Sequence, residues 1–326
     1  MRIKNIYVEN QIKDHPNTIR ITNKLKFDNL IFCDHYSEVF NSTNQNFRIQ
    51  KKFPSLILAK KLNNLILKTP KNFTIGFDNN FYFSHMLNCI YDCKYCYLQG
   101  MLNSANYLIF VNYEDFLNSI KKQINSNKKK TCFFSGYDCD SLAMESITNF
   151  LDYFIPHFKN LSNGILEIRS KSINIDILKN YKPLPNVIPA FSLNPDFIIN
   201  DYEDKTPKLL ERLKSMKKLQ DLGWDIGIRF DPIIWLGKEN KYKKFFCNVF
   251  EYISLGKIHS VTLGGFRMPP SYIKKISKIR PNDYFIQMEN SKRILGIKDN
   301  NLSQDAKEFC KDQILKFLST EKFFMN

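Results

Sequence analysis

The stretch NCIYDCKYCYLQGM, residues 88–101, places Cys89, Cys93 and Cys96 within eight consecutive positions. The chain has 326 residues and eight cysteines, and no other two cysteines lie closer than seven residues apart. Clustered cysteines in an intracellular chain are more often metal ligands than disulfide partners. The three thiols are therefore candidate ligands of one metal group.

Two kinds of metal group fit clustered thiols, and the spacing favours one of them. Structural zinc takes four Cys or His ligands, typically from two pairs. The nearest other candidates, His85 and Cys132, form no second pair. Three thiolates would instead hold three irons of a [4Fe-4S] cluster and leave the fourth iron open to an outside ligand. Zinc is the alternative at this point.

Short apolar runs alternate with amphipathic segments from residue 80 onward. The predicted strands are residues 82–87, 131–135, 165–168, 187–192, 226–230 and 261–263. The predicted helices are residues 113–124, 141–154, 175–178, 208–222 and 241–253. Such alternation indicates parallel βαβ units, and six units are too few for a complete eight-stranded barrel. The predicted fold is α/β, a partial (βα)6 TIM-like barrel, with the cysteines directly after its first strand.

The segments on either side of the barrel differ from it in pattern. The first 75 residues combine strand-like runs at 6–10 and 29–34 with a basic, apolar helix predicted at 54–67, and the tail is mostly helical in pattern. We therefore expect an N-terminal α/β region at 1–77, the barrel at 78–270 and a helical C-terminal extension at 271–326.

The net charge and the lengths of the apolar runs indicate which partners and which compartment to expect. The formal net charge is +16, from 39 Lys and 9 Arg against 32 acidic residues. Such an excess is typical of proteins that bind polyanions, but an AT-rich genome also enriches Lys whatever the function. No apolar run has the length of a signal peptide or of a membrane span. We expect a cytoplasmic protein that does not contact a membrane.

Several segments resemble the radical S-adenosylmethionine (SAM) superfamily and, within it, the spore photoproduct lyase family. The cysteine spacing resembles the superfamily. The segments that resemble the family are IYVEN (6–10), SLILAKK (55–61), KYCYLQG (94–100), FVNYEDFLNSI (110–120), GYDCDSLAME (136–145), EIRSKS (167–172), FSLNPDFIIN (191–200), GIRFDPII (227–234) and LGGFRMPP (263–270). The resemblance implies a [4Fe-4S] cluster that binds SAM through its amino and carboxylate groups. Reductive cleavage of SAM then yields a 5′-deoxyadenosyl radical.

The same resemblance assigns roles to residues beside the third cysteine and after the second barrel strand. Tyr95 and Tyr97 occupy positions at which aromatic residues contact the adenine of SAM or relay a hydrogen atom. Packing against the cluster is the alternative for both tyrosines. Ser135 and Gly136 lie where the family places a turn against the SAM amino group, although an ordinary βα turn has the same sequence pattern.

Residues after the later strands are assigned to SAM in the same way. The resemblance implies that Lys171, with Arg169 as its neighbouring alternative, pairs with the SAM carboxylate. Ser192 and Asn194 would hydrogen-bond the ribose hydroxyls or the carboxylate, and Arg229 ends the next strand. A helix cap or a structural ion pair is the alternative for the last three.

The position of the family's hydrogen donor is altered in this chain. Repair lyases of the family keep a cysteine after the second strand that returns a hydrogen atom to the thymine product radical. That position aligns with Tyr137, and Cys139 lies two residues later. Cys139 could reach the substrate from the same loop, Tyr137 could donate instead, or Cys139 could be a packing residue.

The resemblance implies a lyase that reverses a thymine dimer in DNA. Its expected partners are DNA with damaged pyrimidines and an electron donor such as flavodoxin or ferredoxin, and we expect a monomer. The first alternative is the same radical chemistry on RNA, a peptide or a small molecule. The second is a nucleic-acid binding protein that carries zinc or a cluster without catalysis.

Overall fold

The computed structural model describes residues 3–70, 73–294 and 304–325. Its strands are β1 Asn5–Glu9, β2 Asn29–Cys33, β3 Leu56–Ala59, β4 Leu67–Lys68, β5 Asn79–Tyr82, β6 Met86–Leu87, β7 Asp92–Cys93, β8 Tyr107–Phe110, β9 Thr131–Ser135, β10 Gly164–Ser170, β11 Val187–Ser192, β12 Glu203–Asp204, β13 Ile226–Ile233, β14 Ile258–Gly265 and β15 Phe323–Met325. Its α-helices are α1 Pro16–Lys24, α2 Ser37–Phe40, α3 Phe47–Lys52, α4 Leu98–Met101, α5 Tyr113–Asn125, α6 Glu145–Thr148, α7 Phe150–Phe158, α8 Asp176–Lys179, α9 Asp196–Tyr202, α10 Leu209–Asp221, α11 Glu239–Tyr252, α12 Pro270–Ile279, α13 Tyr284–Ile294 and α14 Gln304–Leu315. Turns of 3₁₀ helix lie at Asn10–Ile12, Leu255–Lys257 and Thr320–Lys322.

The larger sheet has eight strands in the order β15-β14-β13-β11-β10-β9-β5-β4. All neighbours from β5 to β15 pair in parallel, and only the edge strand β4 is antiparallel to its neighbour. The sheet curls into a half-barrel, so the predicted partial (βα)6 barrel is confirmed. Because parallel strands all end at one rim, the loops that follow β5, β9, β10, β11, β13 and β14 share one face.

The smaller sheet has five strands in the order β2-β1-β3-β8-β6. The helix predicted at residues 54–67 is wrong, because this segment forms β3 and β4. All four residues of β3 are completely buried between β1 and β8. A short apolar run buried on both faces is typical of a central parallel strand and is too short for a helix. Since β6 and β8 come from beyond residue 77, the region expected at 1–77 shares its sheet with segments that flank the cysteines.

The first predicted barrel strand, residues 82–87, is also corrected. The segment divides between β5, which belongs to the half-barrel, and β6, which pairs antiparallel with β8 in the smaller sheet. The apolar side chains of Phe83 and Met86 are both buried, but in two different cores. The apolar run is continuous in sequence because its first part is buried in one sheet and its last part in the other.

The helix predicted at residues 141–154 is interrupted at Asn149. This residue has a positive φ of 48°, which ends α6 and starts α7. The Glu145 carboxylate accepts hydrogen bonds from the backbone N–H groups of Phe150 and Leu151, at 3.1 and 2.9 Å. These two bonds satisfy N–H groups of the first turn of α7, which have no partner inside that helix.

The main core lies between the half-barrel and the helices around it. Phe154, Phe191, Trp224 and Phe246 are completely buried there. Each such side chain contributes on the order of 1.5–3 kcal/mol by burial. The C-terminal tail contains helices as expected, but it ends in β15, which pairs with β14. Within the described residues, no helix is both long enough and apolar enough to span a bilayer.

Candidate active site

Cys89, Cys93 and Cys96 lie on the segment between β6 and α4, at the rim where the barrel strands end. All three line one cavity of about 510 Å³, here called the main cavity, and none forms a disulfide. Cys93 belongs to β7, which pairs with β12 in a two-stranded antiparallel ribbon. The fold thus brings together the three thiols that the sequence predicted as ligands.

Charged side chains from distant segments hold this loop in place. Arg48 binds both carboxylate oxygens of Asp92 at 2.8 Å, and Arg280 binds Oδ1 of Asp92 at 2.7 Å. The buried Lys51 donates to the carbonyl oxygen of Cys89. The cysteine loop is therefore fixed from both the N-terminal region and α12. Sequence analysis missed Lys51, because a lysine in the run QKKF gives no sign of burial.

The three thiols fit an iron–sulfur cluster by their chemistry. Burial raises the pKa of all three thiols, for Cys89 to about 12. A metal group reverses this tendency because it binds and stabilises the thiolate form. The Lys51 ammonium acts in the same direction on Cys89 and Cys96. Within the described residues, no group of three His, Cys, Asp or Glu side chains converges on a point where a single metal ion could sit. The three thiols share one cavity instead, which suits a [4Fe-4S] cluster, because each thiolate then binds a different iron.

Lys171 enters the main cavity beside the cysteines. Its Nζ atom lies 5.8 Å from the centre of the Tyr95 ring. Burial alone lowers the pKa of Lys171, but the nearby Glu203 and Cys93 outweigh burial and raise it. The structure thus provides a charged ammonium group next to the predicted cluster ligands.

Glu203 organises a buried network behind Lys171 and Tyr95. Its carboxylate accepts hydrogen bonds from the Tyr95 hydroxyl, from Arg212 and, at 2.9 Å, from the Asn194 amide. Burial alone raises the pKa of Glu203, but Arg212 and Lys171 reverse this effect and lower it to about 2. Sequence analysis missed Glu203, because the run DYEDK looks like a solvated turn.

The structure does not bring every predicted SAM contact into the main cavity. Asn194 lies behind Tyr95 in the network of Glu203 and is not part of the lining. Arg229 is completely buried and pairs with Glu167 at 2.8 Å, also outside the lining. Ser192 does line the cavity. The arrangement of Arg229 corresponds to the structural ion pair that was the alternative for this residue.

Gly136 and Ser135 lie at the end of β9, and both line the main cavity. Gly136 has a positive φ of 75°, and a Cβ atom there would lie 2.5 Å from Ser141 Oγ and 2.8 Å from the Arg169 carbonyl oxygen. Only glycine fits such a close backbone approach. The Ser135 hydroxyl donates to the Glu167 carbonyl oxygen at 2.9 Å, so it serves the strand pairing.

Asp140 fixes the loop that follows β9 against the end of β10. Its carboxylate accepts hydrogen bonds from Ser170 Oγ at 2.6 Å and from the Lys171 backbone N–H at 2.7 Å. It also accepts from the N–H groups of Leu142 and Ala143. The loop with the two candidate hydrogen donors is therefore tied to Lys171. An Asp before an apolar helical pattern is a capping signal that could have identified this residue.

Tyr137 and Tyr97 meet at one wall of the main cavity. The Tyr97 hydroxyl donates to the Tyr137 carbonyl oxygen at 2.5 Å and to Asp138 Oδ1 at 3.2 Å. The Tyr137 ring stacks on Tyr82 with 4.2 Å between ring centres. Tyr97 and Tyr137 therefore both line the main cavity, and Tyr82 extends their row of aromatic rings.

Cys139 also lines the main cavity, on the same loop as Tyr137. Its side chain is 9% exposed and packs in the core of the smaller sheet with Met86 and Met144. Burial raises the pKa of its thiol, so it is a neutral S–H group at physiological pH. Cys139 thus has both a packing role and access to the cavity.

Comparison with known proteins agrees with this geometry. The sequence profile of the spore photoproduct lyase family matches residues 4–294. A spore photoproduct lyase of Bacillus subtilis is 29% identical over 177 residues, which are 53% of this chain and 52% of that protein. One of Clostridium acetobutylicum is 27% identical over 205 residues, 60% of this chain and 58% of that protein. The chain thus spans about half the length of the curated relatives it matches.

Solved structures show the same fold over the whole chain. A variant of spore photoproduct lyase with bound AdoMet and dinucleoside spore photoproduct has a TM-score of 0.79 at 18% identity and covers 99% of this chain and 98% of that one. Spore photoproduct lyase in complex with dinucleoside spore photoproduct has a TM-score of 0.79 at 16% identity, and the match covers 99% of both chains. The resemblance inferred from the sequence is confirmed. The chain belongs to the spore photoproduct lyase family.

Proposed function

We propose that the chain is a radical SAM lyase that holds a [4Fe-4S] cluster on Cys89, Cys93 and Cys96 and repairs a thymine photoproduct in DNA. One observation carries the proposal: the three thiols and Lys171 line a single cavity in a member of the spore photoproduct lyase family. The names of the curated relatives support the activity, and the relative solved with AdoMet and dinucleoside spore photoproduct supports both ligands.

Different residues of the main cavity would bind the cluster and SAM. When bound, the cluster supplies the one electron that cleaves SAM to methionine and a 5′-deoxyadenosyl radical. Three cysteine thiolates would hold three of its irons. The Lys171 ammonium would pair with the SAM carboxylate, a charge-assisted interaction of the strong kind. Glu203 keeps Lys171 charged, and Gly136 permits the backbone to approach the SAM amino group.

The rest of the cavity lining suits a pair of damaged bases. A base that reacts here must leave its stack, which costs a few kcal/mol. Phe73 and Tyr137, with ring centres 6.1 Å apart, provide faces on which bases stack. Arg169 and Arg267 also line the cavity, where they pair with Glu167 and Asp231. A guanidinium group has five N–H donors, so it can bind phosphate in addition to a carboxylate.

We assign the return of hydrogen to the Cys139 thiol. Loss of a hydrogen atom from the photoproduct to the 5′-deoxyadenosyl radical would form 5′-deoxyadenosine and let the bond between the bases break, which leaves one carbon radical on one thymine. Transfer of a hydrogen atom from Cys139 to that carbon forms a C–H bond, breaks the S–H bond and leaves a thiyl radical. The Tyr137 hydroxyl is the second candidate for the same transfer, because it occupies the position of the family's donor.

The reaction needs a one-electron reductant and a reducing compartment. We assign the first to flavodoxin or ferredoxin. All eight cysteines are free, which is typical of cytoplasmic proteins and supports the cytoplasm as the compartment.

A second candidate function keeps the radical chemistry but changes the substrate to RNA, a peptide or a small molecule. The observation that favours it is the aligned donor position, where this chain has Tyr137 instead of a cysteine. The net charge of +16 does not separate DNA from RNA as the substrate, because both are polyanions.

Turnover of a dinucleotide photoproduct separates these candidates. Anaerobically reconstituted protein, SAM and dithionite are incubated with dinucleoside spore photoproduct, and thymidylyl-thymidine is measured by chromatography. We expect repaired dinucleotide from wild type and none from Cys93→Ala. SAM cleavage without repair would support the second candidate, and absence of both would overturn radical SAM chemistry.

A further inference from the structure

A second cavity, of about 640 Å³, lies on the other side of the cysteine loop. It is lined by segment 24–28, by Ile90 and by Ala143, Met144, Ser146 and Ile147. These residues come from the turn between α1 and β2, from the cysteine loop and from the start of α6. The catalytic assignments above use none of them.

The cysteine loop is the wall between the two cavities. Cys89 and Tyr91 line the main cavity, whereas Ile90 between them lines the second cavity. Behind this wall, Cys139 packs in one apolar cluster with Met144, and Ile90 packs against the same cluster. The second cavity thus shares a packed apolar cluster with Cys139, and Ile90 is bonded through the backbone to Cys89.

The wall and its surroundings are held firmly. Arg20 on α1 donates to the carbonyl oxygens of Ile147 and Thr148, at 2.8 and 2.6 Å. These bonds fix α1 relative to α6, the two helices whose ends border the second cavity. A surface held in this way needs little reorganisation when a partner binds.

The surface around the second cavity combines an apolar floor with a basic rim. Leu25, Phe27 and Ile90 are half-buried in the floor, and Lys24 and Lys26 are exposed at the rim. Asp28 is the single carboxylate among the described lining residues. A partner that fits this surface presents apolar contacts surrounded by carboxylates.

We propose that the second cavity is the docking surface for an acidic one-electron carrier protein, a ferredoxin, that reduces the cluster through the wall formed by Ile90. The inference rests on the proposed function, which requires one electron for each SAM cleaved. The reduced iron–sulfur centre of the carrier would lose that electron to a cluster held by Cys89, Cys93 and Cys96, with no proton transferred. The path passes through covalent bonds, because Ile90 adjoins Cys89 in the chain.

The test compares two electron sources in charge-reversed protein. Lys24→Glu/Lys26→Glu is paired with Lys243→Glu/Lys244→Glu on α11, which makes the same charge change outside this surface. SAM cleavage is measured in the reconstituted holoenzyme, driven either by reduced acidic [2Fe-2S] ferredoxin or by dithionite, at low and high salt. Binding of the oxidised ferredoxin to the protein without cluster is measured by calorimetry, and its affinity should fall about tenfold in Lys24→Glu/Lys26→Glu and stay unchanged in the α11 control. We expect the first variant to lose about tenfold of its ferredoxin-driven rate at low salt and to keep the dithionite-driven rate. Ser146→Trp, which fills the cavity without changing charge, should act in the same way.

Each other result has a distinct meaning. A ferredoxin-driven rate within twofold of wild type in both cavity variants would overturn the docking surface. An equal loss in the α11 control would also overturn it, because the effect would then be one of net charge. A wild type that accepts electrons from dithionite but not from ferredoxin would contradict an acidic carrier. If wild type cleaves no SAM even with dithionite, the proposed function itself fails.

Discussion

Glu203 is the direct partner of Cys93 in the antiparallel ribbon of β12 and β7. The residue that organises the buried polar network thus lies across a backbone pairing from a predicted cluster ligand. Through Tyr95 and Lys171 the same carboxylate borders the main cavity. The geometry of the cysteine loop and the charge of Lys171 therefore depend on one buried group.

Replacement of Glu203 should destabilise the fold strongly. In Glu203→Gln, the completely buried Arg212 loses its anionic partner, and we expect a loss of about 3–5 kcal/mol in the free energy of unfolding. Chemical denaturation of the apoprotein measures this loss. Glu203→Gln/Arg212→Met, which removes both charges, should recover part of it. A single variant within 1 kcal/mol of wild type would show that the pair does not hold this region.

Lys171→Ala should weaken SAM binding without loss of cluster. A charge-assisted bond to a carboxylate is worth about 1.5–3 kcal/mol, so the dissociation constant should rise by roughly tenfold or more. Equilibrium binding to reconstituted protein measures it, and the exposed Lys214→Ala on α10 is the control. Equal affinity in Lys171→Ala and wild type would remove Lys171 from the SAM site.

The source of the returned hydrogen atom should be visible in the products. Cys139→Ala should still cleave SAM but should give aberrant products in which the thymine radical was not quenched. Tyr137→Phe should do the same only if the tyrosine donates the hydrogen atom. Product analysis by mass spectrometry distinguishes the two. Wild-type product distributions from both variants would mean that the repair mechanism of the family does not operate here.

His85 should make the stability of the protein depend on pH. Its ring is buried against Phe150 at 4.0 Å, neither ring nitrogen has a hydrogen-bond partner among the described residues, and burial lowers its pKa to about 3. In the unfolded chain His85 binds a proton near pH 6.5, whereas in the folded protein it stays neutral down to about pH 3. The free energy of unfolding therefore keeps its full value above pH 6.5 and falls as the pH is lowered toward 3. The loss amounts to about 1.4 kcal/mol for each pH unit.

Denaturation of the apoprotein between pH 7 and pH 4 measures how the free energy of unfolding changes with pH. His85→Phe should flatten this dependence on pH. Identical slopes in His85→Phe and wild type would show that His85 does not titrate in this way.

The sequence predicted those parts of the fold and site that depend on local pattern. The strand at Val187–Ser192 matches its prediction because a short apolar run between turn residues has few alternatives. The run at Leu56–Ala59 was predicted as helix, since its two neighbouring strands are distant in sequence. The β8 strand that covers it, at Tyr107–Phe110, was not predicted at all.

The same distinction applies to the site. The spacing of the three cysteines is a local pattern, and the fold places all three in one cavity. The roles of Glu203 and Lys51 could not be predicted, because a charged residue is buried only when distant segments provide its partner. Arg229 was assigned to SAM by its position at the end of a strand. In the structure its guanidinium group forms a buried ion pair with Glu167 on β10 instead.

The central claim is that Cys89, Cys93 and Cys96 hold the cluster that cleaves SAM. The most direct test measures iron, sulfide and 5′-deoxyadenosine in reconstituted wild type and in the three single Cys→Ala variants, with Cys247→Ala as control. We predict about four iron and four sulfide for wild type and for the control, both active, and no 5′-deoxyadenosine from any variant of the three. Retained SAM cleavage in any one of Cys89→Ala, Cys93→Ala or Cys96→Ala would contradict the claim.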